Sequence, residues 1–306
     1  MEHRIRVERA IKHLPVDQVP CAELVITDKL VQTMFGGQEV TEFRHRLEFV
    51  RSMGLDAVCL HPSCNLQSGS IPSAQDIVFN DLNKWVNTDL FTFAVLDGPV
   101  GWGGRLLGFE QMMLQLVRRD PLYGELVAAI ETLNKDMMDS LADTGVNGII
   151  IADDIAFNQG VFVRPAALRQ TLFPSLARQV IHAQRLGLPV FFHSDGNLTL
   201  VLDDIATAGF DGLQCIEALS GMDIAEVKKQ YGHKLCLWGN LDPAELIEPL
   251  SLEKLEHTVN HIVAGSNGNS GLIFGTSSGL FENMRLESVK AIYEIAKRET
   301  ICENTI

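Results

Sequence analysis

No run of about 18 uninterrupted apolar residues occurs in this sequence, so a membrane-spanning helix is not expected. The first residues, Met1-Glu2-His3-Arg4, are charged and have no apolar segment behind them. An export leader is therefore not expected, and a cytoplasmic location is. Basic charge is also scarce: 25 Lys and Arg stand against 39 Asp and Glu, a formal net charge of −14, with no Lys/Arg cluster. That balance argues against nucleic acid and against an acidic membrane surface, because binding phosphates requires a basic face. It also weighs against a highly anionic substrate, though a local basic pocket on an acidic protein stays compatible with it. The six cysteines (Cys21, Cys59, Cys64, Cys215, Cys236 and Cys302) are scattered with no C-x-x-C pair, in a chain too large to need staples, and read as free thiols. The glycine cluster Gly101-Trp102-Gly103-Gly104 has neither G-x-G-x-x-G nor Walker spacing, so a phosphate cradle is not expected. It reads instead as a place where backbone passes close to a ligand or another loop.

With 306 residues, 46% of them hydrophobic, the chain can bury a large core. Its organising stretch is Pro189-Val190-Phe191-Phe192-His193-Ser194-Asp195-Gly196-Asn197. A short apolar run of strand length ends in an imidazole, a hydroxyl, a carboxylate and a glycine, as a buried strand does when it delivers its last residues into a site. The alternative is a polar turn in which Ser194, Asp195 and Gly196 only cap the next helix.

Eight such apolar runs alternate with helical segments: Val19 to Ile26, Ala57 to Leu60, Phe91 to Leu96, Gly148 to Ala152, Val190 to Phe192, Gly212 to Ile216, Leu235 to Trp238 and Gly271 to Phe274. Eight is the count of a (β/α)8 TIM barrel, here expected as a single domain over 1–306 with a helical lead-in at 1–18. Continuous apolar runs fit parallel strands covered on both faces. A doubly wound sheet is the alternative. The strand ends favour the barrel, because Asp28, His61, Asp97, Asp153, Asp154, His193, Asp195, Glu217, Asn240, Asp242, Ser277 and Ser278 would converge on one mouth. Residues 62–88 are polar and without periodicity, long for a plain connection, and are expected to cross the active face as a lid loop. A long helical region over 106–143, broken near Asp120-Pro121, and a helix over 165–186 are expected between strands.

Gly239-Asn240-Leu241-Asp242-Pro243, preceded by His193-Ser194-Asp195-Gly196, resembles the uroporphyrinogen decarboxylase superfamily, which also contains methyltransferases serving corrinoid proteins and coenzyme M. The likeness runs from about Arg6 through the last helix and implies a (β/α)8 barrel. The decarboxylases carry an arginine-rich segment near the N-terminus that grips substrate carboxylates, whereas Ala22 to Gln32 has no arginine. The methyltransferase branch places zinc on an H-x-C pair after the fifth strand and a cysteine after the eighth; the matching positions here are His193, Asp195 and Ser277 or Ser278. The histidine is kept and both cysteines are absent. H-S-D-G, Ile216-Glu217, Gly221-Met222-Asp223-Ile224 and the serine-rich turn resemble the branch of corrinoid-dependent O-demethylases. That resemblance implies transfer of a methyl group from a small donor, an aryl methyl ether, to the cob(I)alamin of a corrinoid partner protein. A homodimer is left open, and a uroporphyrinogen-type decarboxylase or a non-catalytic small-molecule-binding barrel are the alternatives.

An ether oxygen leaves poorly unless it is protonated or bound to a Lewis acid. His193, Asp195 and Glu217 supply nitrogen and oxygen donors suited to zinc, and replacing thiolate by carboxylate fits a harder acid for an ether oxygen. In the metal-free version Glu217 or Asp153 is the acid, raised by burial, and His193 orients the substrate. Asp97, Asn240, Asp242, Ser277 and Trp102 are the candidate substrate-binding residues. For Asp242, capping the segment that starts at Pro243 is at least as good a reading, and for Trp102 core packing is.

Overall fold

Runs rich in Ile, Val and Phe form the strands, as side chains that fill both faces of a buried sheet should. In the computed structural model, which describes residues 1–40, 42–64, 70–248, 251–265 and 270–302, seven strands make one sheet. They are Ala57–Leu60 (β1), Phe91–Asp97 (β2), Gly148–Ala152 (β3), Val190–His193 (β4), Gly212–Cys215 (β5), Cys236–Leu241 (β6) and Leu272–Thr276 (β7), and the strand order follows the chain. The architecture is α/β, with helices between consecutive strands. Among the described residues no helix is long and apolar enough to cross a membrane. The chain divides into two compact units, one of Leu60–Asn87 with Thr92–Leu213, the other of Met1–Cys59, Thr88–Phe91 and Gln214–Ile306.

In the first of these units β2, β3 and β4 pair in parallel, with Asp97 opposite Ala152 and Ala152 opposite His193. That register sets the ends of three strands level, so the residues that follow them emerge together. The helical region expected over 106–143 is two helices, Phe109–Arg118 and Pro121–Ala142, broken at Asp120 as expected, with the Asp120 side chain capping the second; a further helix, Pro99–Leu107, precedes them and ends at Gly108. The glycine cluster is therefore helix and not loop. Pro99 occupies the first helical turn, where its missing N–H costs nothing. At Gly103 a Cβ would meet Met112 Cγ at 2.5 Å, so a bare backbone lets the helices approach. The expected helix over 165–186 is likewise two, Pro165–Thr171 and Phe173–Arg185, because Pro174 opens a new first turn. Within the expected lid, Pro62–Cys64 pairs antiparallel with Ile77–Phe79 and Leu82–Trp85 is a short helix, while residues 65–69 lie outside the described ones.

In the other unit β6 and β7 pair in parallel, Leu237 opposite Leu272 through Leu241 opposite Thr276. The first of the eight expected strands is not formed: Val19 to Ile26 makes only isolated bridges, Cys21 with Phe274 and Ile26 with Leu280. Two features interrupt the ladder. Pro20 has no N–H to donate, and the Glu23 carboxylate takes the Thr276 N–H at 2.9 Å in place of a main-chain carbonyl. Glu23 is fully buried and also accepts the Thr276 hydroxyl and the Tyr293 hydroxyl, each at 2.5 Å. Burial pushes its carboxyl up to about 7, against the pull of those hydrogen bonds. The helix His3–Ile11 is held by Arg6, whose guanidinium bonds Asp17 at 2.7 Å and the fully buried Asp56 at 2.5 Å.

Candidate functional site

The turn after β4 is held by its own short side chains. The Ser194 hydroxyl accepts the Ile155 N–H at 3.0 Å and donates to the Asp195 carbonyl at 2.8 Å. Gly196 has φ +88°, and a Cβ there would stand 2.5 Å from the Phe157 nitrogen, so the close crossing with the segment after β3 requires glycine. The strand ends are laced together as well: Asp153 N–H donates to the His193 carbonyl at 2.9 Å, and Asp195 N–H donates to Asp154 Oδ1 at 2.9 Å.

This lacing brings three ligand-bearing side chains to one place. One nitrogen of His193 and one carboxylate oxygen each from Asp154 and Asp195 lie within 4.8 Å of one another. His193 Nε2 is 3.7 Å from Asp154 Oδ1; the imidazole is 9% exposed and the Asp154 side chain 56%. An imidazole nitrogen with two carboxylate oxygens suits zinc, and three protein ligands leave a fourth position open. The donor set therefore fits the metal that the resemblance implies. Sequence reasoning paired His193 and Asp195 with Glu217. The structure gathers them with Asp154 instead, and Glu217 belongs to the other unit. The acidic doublet directly after β3 was the signal available for Asp154.

Asp153 faces inward from the same doublet and is 1% exposed. Its Oδ1 accepts the N–H groups of Val100 at 2.8 Å and Gly101 at 2.9 Å, so it caps the helix Pro99–Leu107 from another strand. Its Oδ2 is buried and, among the described residues, has no hydrogen-bond partner. Burial pushes the carboxyl up to about 8, with the two backbone bonds opposing and Asp154 and Asp97 adding to the rise. Oδ1 of Asp153 therefore serves as a helix cap, and Oδ2 stands apart from that cap.

Asp97, at the end of β2, accepts Arg105 Nη2 at 2.7 Å, and its carbonyl accepts the Asn134 amide at 3.1 Å. The Arg105 guanidinium lies 4.4 Å from the Trp102 ring centroid, with Trp102 itself buried at 3% exposure. Trp102 thus serves as a platform. Arg105 was not singled out in the sequence; its position one helical turn after Gly101 was the usable signal.

The remaining candidates lie in the other unit. Asn240 is buried and its amide donates to the carbonyls of Ile216 and Met222, the second at 3.2 Å. It ties down a segment in which Cys215 and Ile216 have φ +97° and +51°, a costly conformation for a β-branched residue. Glu217 accepts the Ser220 hydroxyl at 2.8 Å. Asp242 accepts the Ala244 N–H at 2.9 Å and is a cap. Ser277 is buried, its N–H bonded to the Leu241 carbonyl and its own carbonyl to the Gln214 amide.

The family model described as uroporphyrinogen decarboxylase (URO-D) matches residues 79–299. A uroporphyrinogen decarboxylase of Shewanella baltica is 31% identical over 115 residues, 36% of this chain and 31% of that protein. A methylcobamide:CoM methyltransferase of Methanosarcina barkeri is 22% identical over 231 residues, 76% of this chain and 65% of that protein. The chain thus spans less than two thirds of either relative. Among solved structures, a methyltransferase from Methanosarcina mazei superposes with a TM-score of 0.76 at 17% identity, covering 98% of this chain and 99% of that one, which shows a shared fold.

Proposed function

Because the chain belongs to the uroporphyrinogen decarboxylase family, we propose that it is a methyltransferase of that family, moving a methyl group from an aryl methyl ether to the cob(I)alamin of a corrinoid partner protein. The observation that carries this reading is the His193, Asp154 and Asp195 group, with ligand atoms within 4.8 Å, beside the partnerless buried oxygen of Asp153. The similarity to a methylcobamide:CoM methyltransferase over 76% of the chain supports it.

In the reaction the methyl carbon breaks its bond to the ether oxygen and bonds to cobalt, and the aryl oxygen leaves with the electron pair of the broken bond. Zinc held by His193, Asp154 and Asp195 would supply Lewis acidity at that oxygen. Asp153 keeps Oδ1 engaged by Val100 and Gly101, which leaves a proton on Oδ2 for the departing oxygen. A positioned acid of this kind contributes about 10²–10⁴-fold. His193, nearly buried, excludes water from the side it covers.

The test is a screen of methoxylated aromatics against cob(I)alamin, read as conversion to methylcob(III)alamin absorbance. The expected result is methylation with at least one methoxyaromatic and no conversion of uroporphyrinogen. The 31% identity to a decarboxylase favours the second reading; decarboxylation of uroporphyrinogen, against the absence of arginine in Ala22 to Gln32, would replace the proposal with it.

A further inference from the structure

The backbone that leads into β7 and the end of the helix His3–Ile11 meet around a glycine. Gly271 has φ +70°, and a Cβ there would collide with His13 Nδ1 and stand 2.7 Å from Lys228 Nζ. An imidazole and an ammonium thus converge on one point that bare backbone leaves free. Main chain fixes the junction, because the Gly271 N–H donates to the Ala10 carbonyl at 3.1 Å. Lys228 stands in the last turn of the helix Ile224–Tyr231, and its Nζ donates to the carbonyls of Ser270 at 2.8 Å and Gly271 at 3.1 Å. An ammonium has three protons to donate. Neutral carbonyls take two of them, which leaves the third proton and the charge.

His13 follows the end of its helix with φ +55°, a left-handed position where glycine or asparagine is usual. An imidazole kept there is strain retained for the sake of the side chain. Burial, then the charges of Lys228 and His233, hold His13 below the usual imidazole range, and burial lowers Lys228 as well. His233, exposed in the turn before β6, therefore acts on the same place. Among the described residues none of the three has a carboxylate within ion-pair distance, although Lys84, Lys135, His3 and His182 each find one at 2.6 to 2.8 Å. In a chain with 39 acidic side chains against 25 Lys and Arg, three cation-forming groups gathered without a carboxylate attract an anion from solution.

We propose that His13, Lys228 and His233 form a binding site for a tetrahedral oxyanion of the phosphate type, free or carried by a small phosphomonoester. Donors from three separate segments suit an ion whose acceptor oxygens point in several directions. A planar carboxylate is better served by an arginine fork, and no arginine is among the three. The bound anion ties the end of the helix His3–Ile11 to the helix Ile224–Tyr231 and to the start of β7. All three residues belong to one compact unit and lie where β6 and β7 begin, so the site is separate from the strand-end residues Asn240, Asp242 and Ser277 of that unit.

Calorimetric titration of the intact protein with inorganic phosphate, in a buffer free of phosphate and sulfate, tests this. Wild type is expected to take up phosphate at one site and to bind acetate about tenfold more weakly or worse. His233→Glu, an exposed change that leaves packing alone, should weaken phosphate by about tenfold or more. Lys228→Gln keeps a donor for the two carbonyls, loses the charge, and should cost a similar factor. His13→Asn keeps a residue suited to left-handed backbone and should fall between these variants and wild type. His257→Glu, the same change at an exposed position of the helix Leu252–Gly265, should leave the affinity within about twofold. Glycerol phosphate separates the sources: binding tighter than that of inorganic phosphate assigns a phosphomonoester, and equal or weaker binding assigns the free ion. No phosphate uptake by wild type, acetate bound as tightly as phosphate, unchanged affinity in both His233→Glu and Lys228→Gln, or an equal loss in His257→Glu overturns the proposal.

Discussion

Nε2 of His193 lies 3.7 Å from Oδ1 of Asp154, and the same Asp154 oxygen accepts the Asp195 N–H at 2.9 Å. One carboxylate oxygen thus joins the end of one strand to the turn after the next. The imidazole and the two carboxylates are placed relative to each other by backbone, not by long flexible side chains.

Zinc binding is the expected outcome of this arrangement. Protein purified without chelator and loaded with zinc is expected to hold one equivalent, measured by elemental analysis. His193→Ala and Asp154→Asn should each lower the affinity by an order of magnitude or more while the melting temperature of the metal-free protein stays within a few degrees. Retention of full affinity by Asp154→Asn would return the third ligand to another residue.

Asp153 separates capping from chemistry. Asp153→Asn keeps an oxygen for the Val100 and Gly101 N–H groups, so stability should be nearly unchanged, whereas the lost proton at Oδ2 should cut kcat by about 10²–10⁴-fold. Asp153→Ala removes the cap too and should cost a further ~1–2 kcal/mol in urea unfolding. Full activity in Asp153→Asn would leave the residue as a cap alone.

Glu23 predicts a slope in stability with pH. Its carboxyl is raised by burial to about 7 from an ordinary 4.5. Between those values the folded protein binds a proton that the unfolded chain has released. The stabilising contribution is full below about pH 4.5 and is lost as pH rises through about 7. Urea midpoints at pH 5 and pH 8 should fall further apart in wild type than in Glu23→Gln, which carries no charge at either pH. Equal differences in the two proteins would show that Glu23 does not set the slope.

Asn240 is expected to act on stability first. Asn240→Ala leaves the Ile216 and Met222 carbonyls without their shared donor, beside two left-handed residues, and should cost about 2–3 kcal/mol in chemical unfolding. A change in substrate KM with no loss of stability would instead place Asn240 in the binding machinery.

Much of this protein was legible in its sequence for local reasons. The apolar runs identify strands β1 to β7 because buried parallel strands need continuous hydrophobic residues, and Pro121 and Asp120 mark a helix start by capping chemistry that acts within one turn. His193 and Asp195 stood out because polar residues directly after a buried strand have few places to go. What escaped depends on residues far apart in the chain. Val19 to Ile26 has a strand's composition, yet the Glu23 side chain, bonded to Thr276 and Tyr293 more than 250 positions away, displaces the ladder. Gly101, Gly103 and Gly104 read as a loop by composition; they are helical because Asp153 caps the helix from another strand and Met112 needs the space at Gly103.

The sequence by itself determined the alternation of strands and helices, the excess of acidic charge and the identity of the strand-end residues, since each follows from side-chain chemistry along a short stretch. Only the tertiary structure decided that Asp154 joins His193 and Asp195, that Asp153 divides its two oxygens between a helix cap and a partnerless site, and that Arg105 lies across Trp102. Those outcomes depend on strand register and helix placement, which set distances between groups dozens of residues apart and leave no local trace in the order of amino acids.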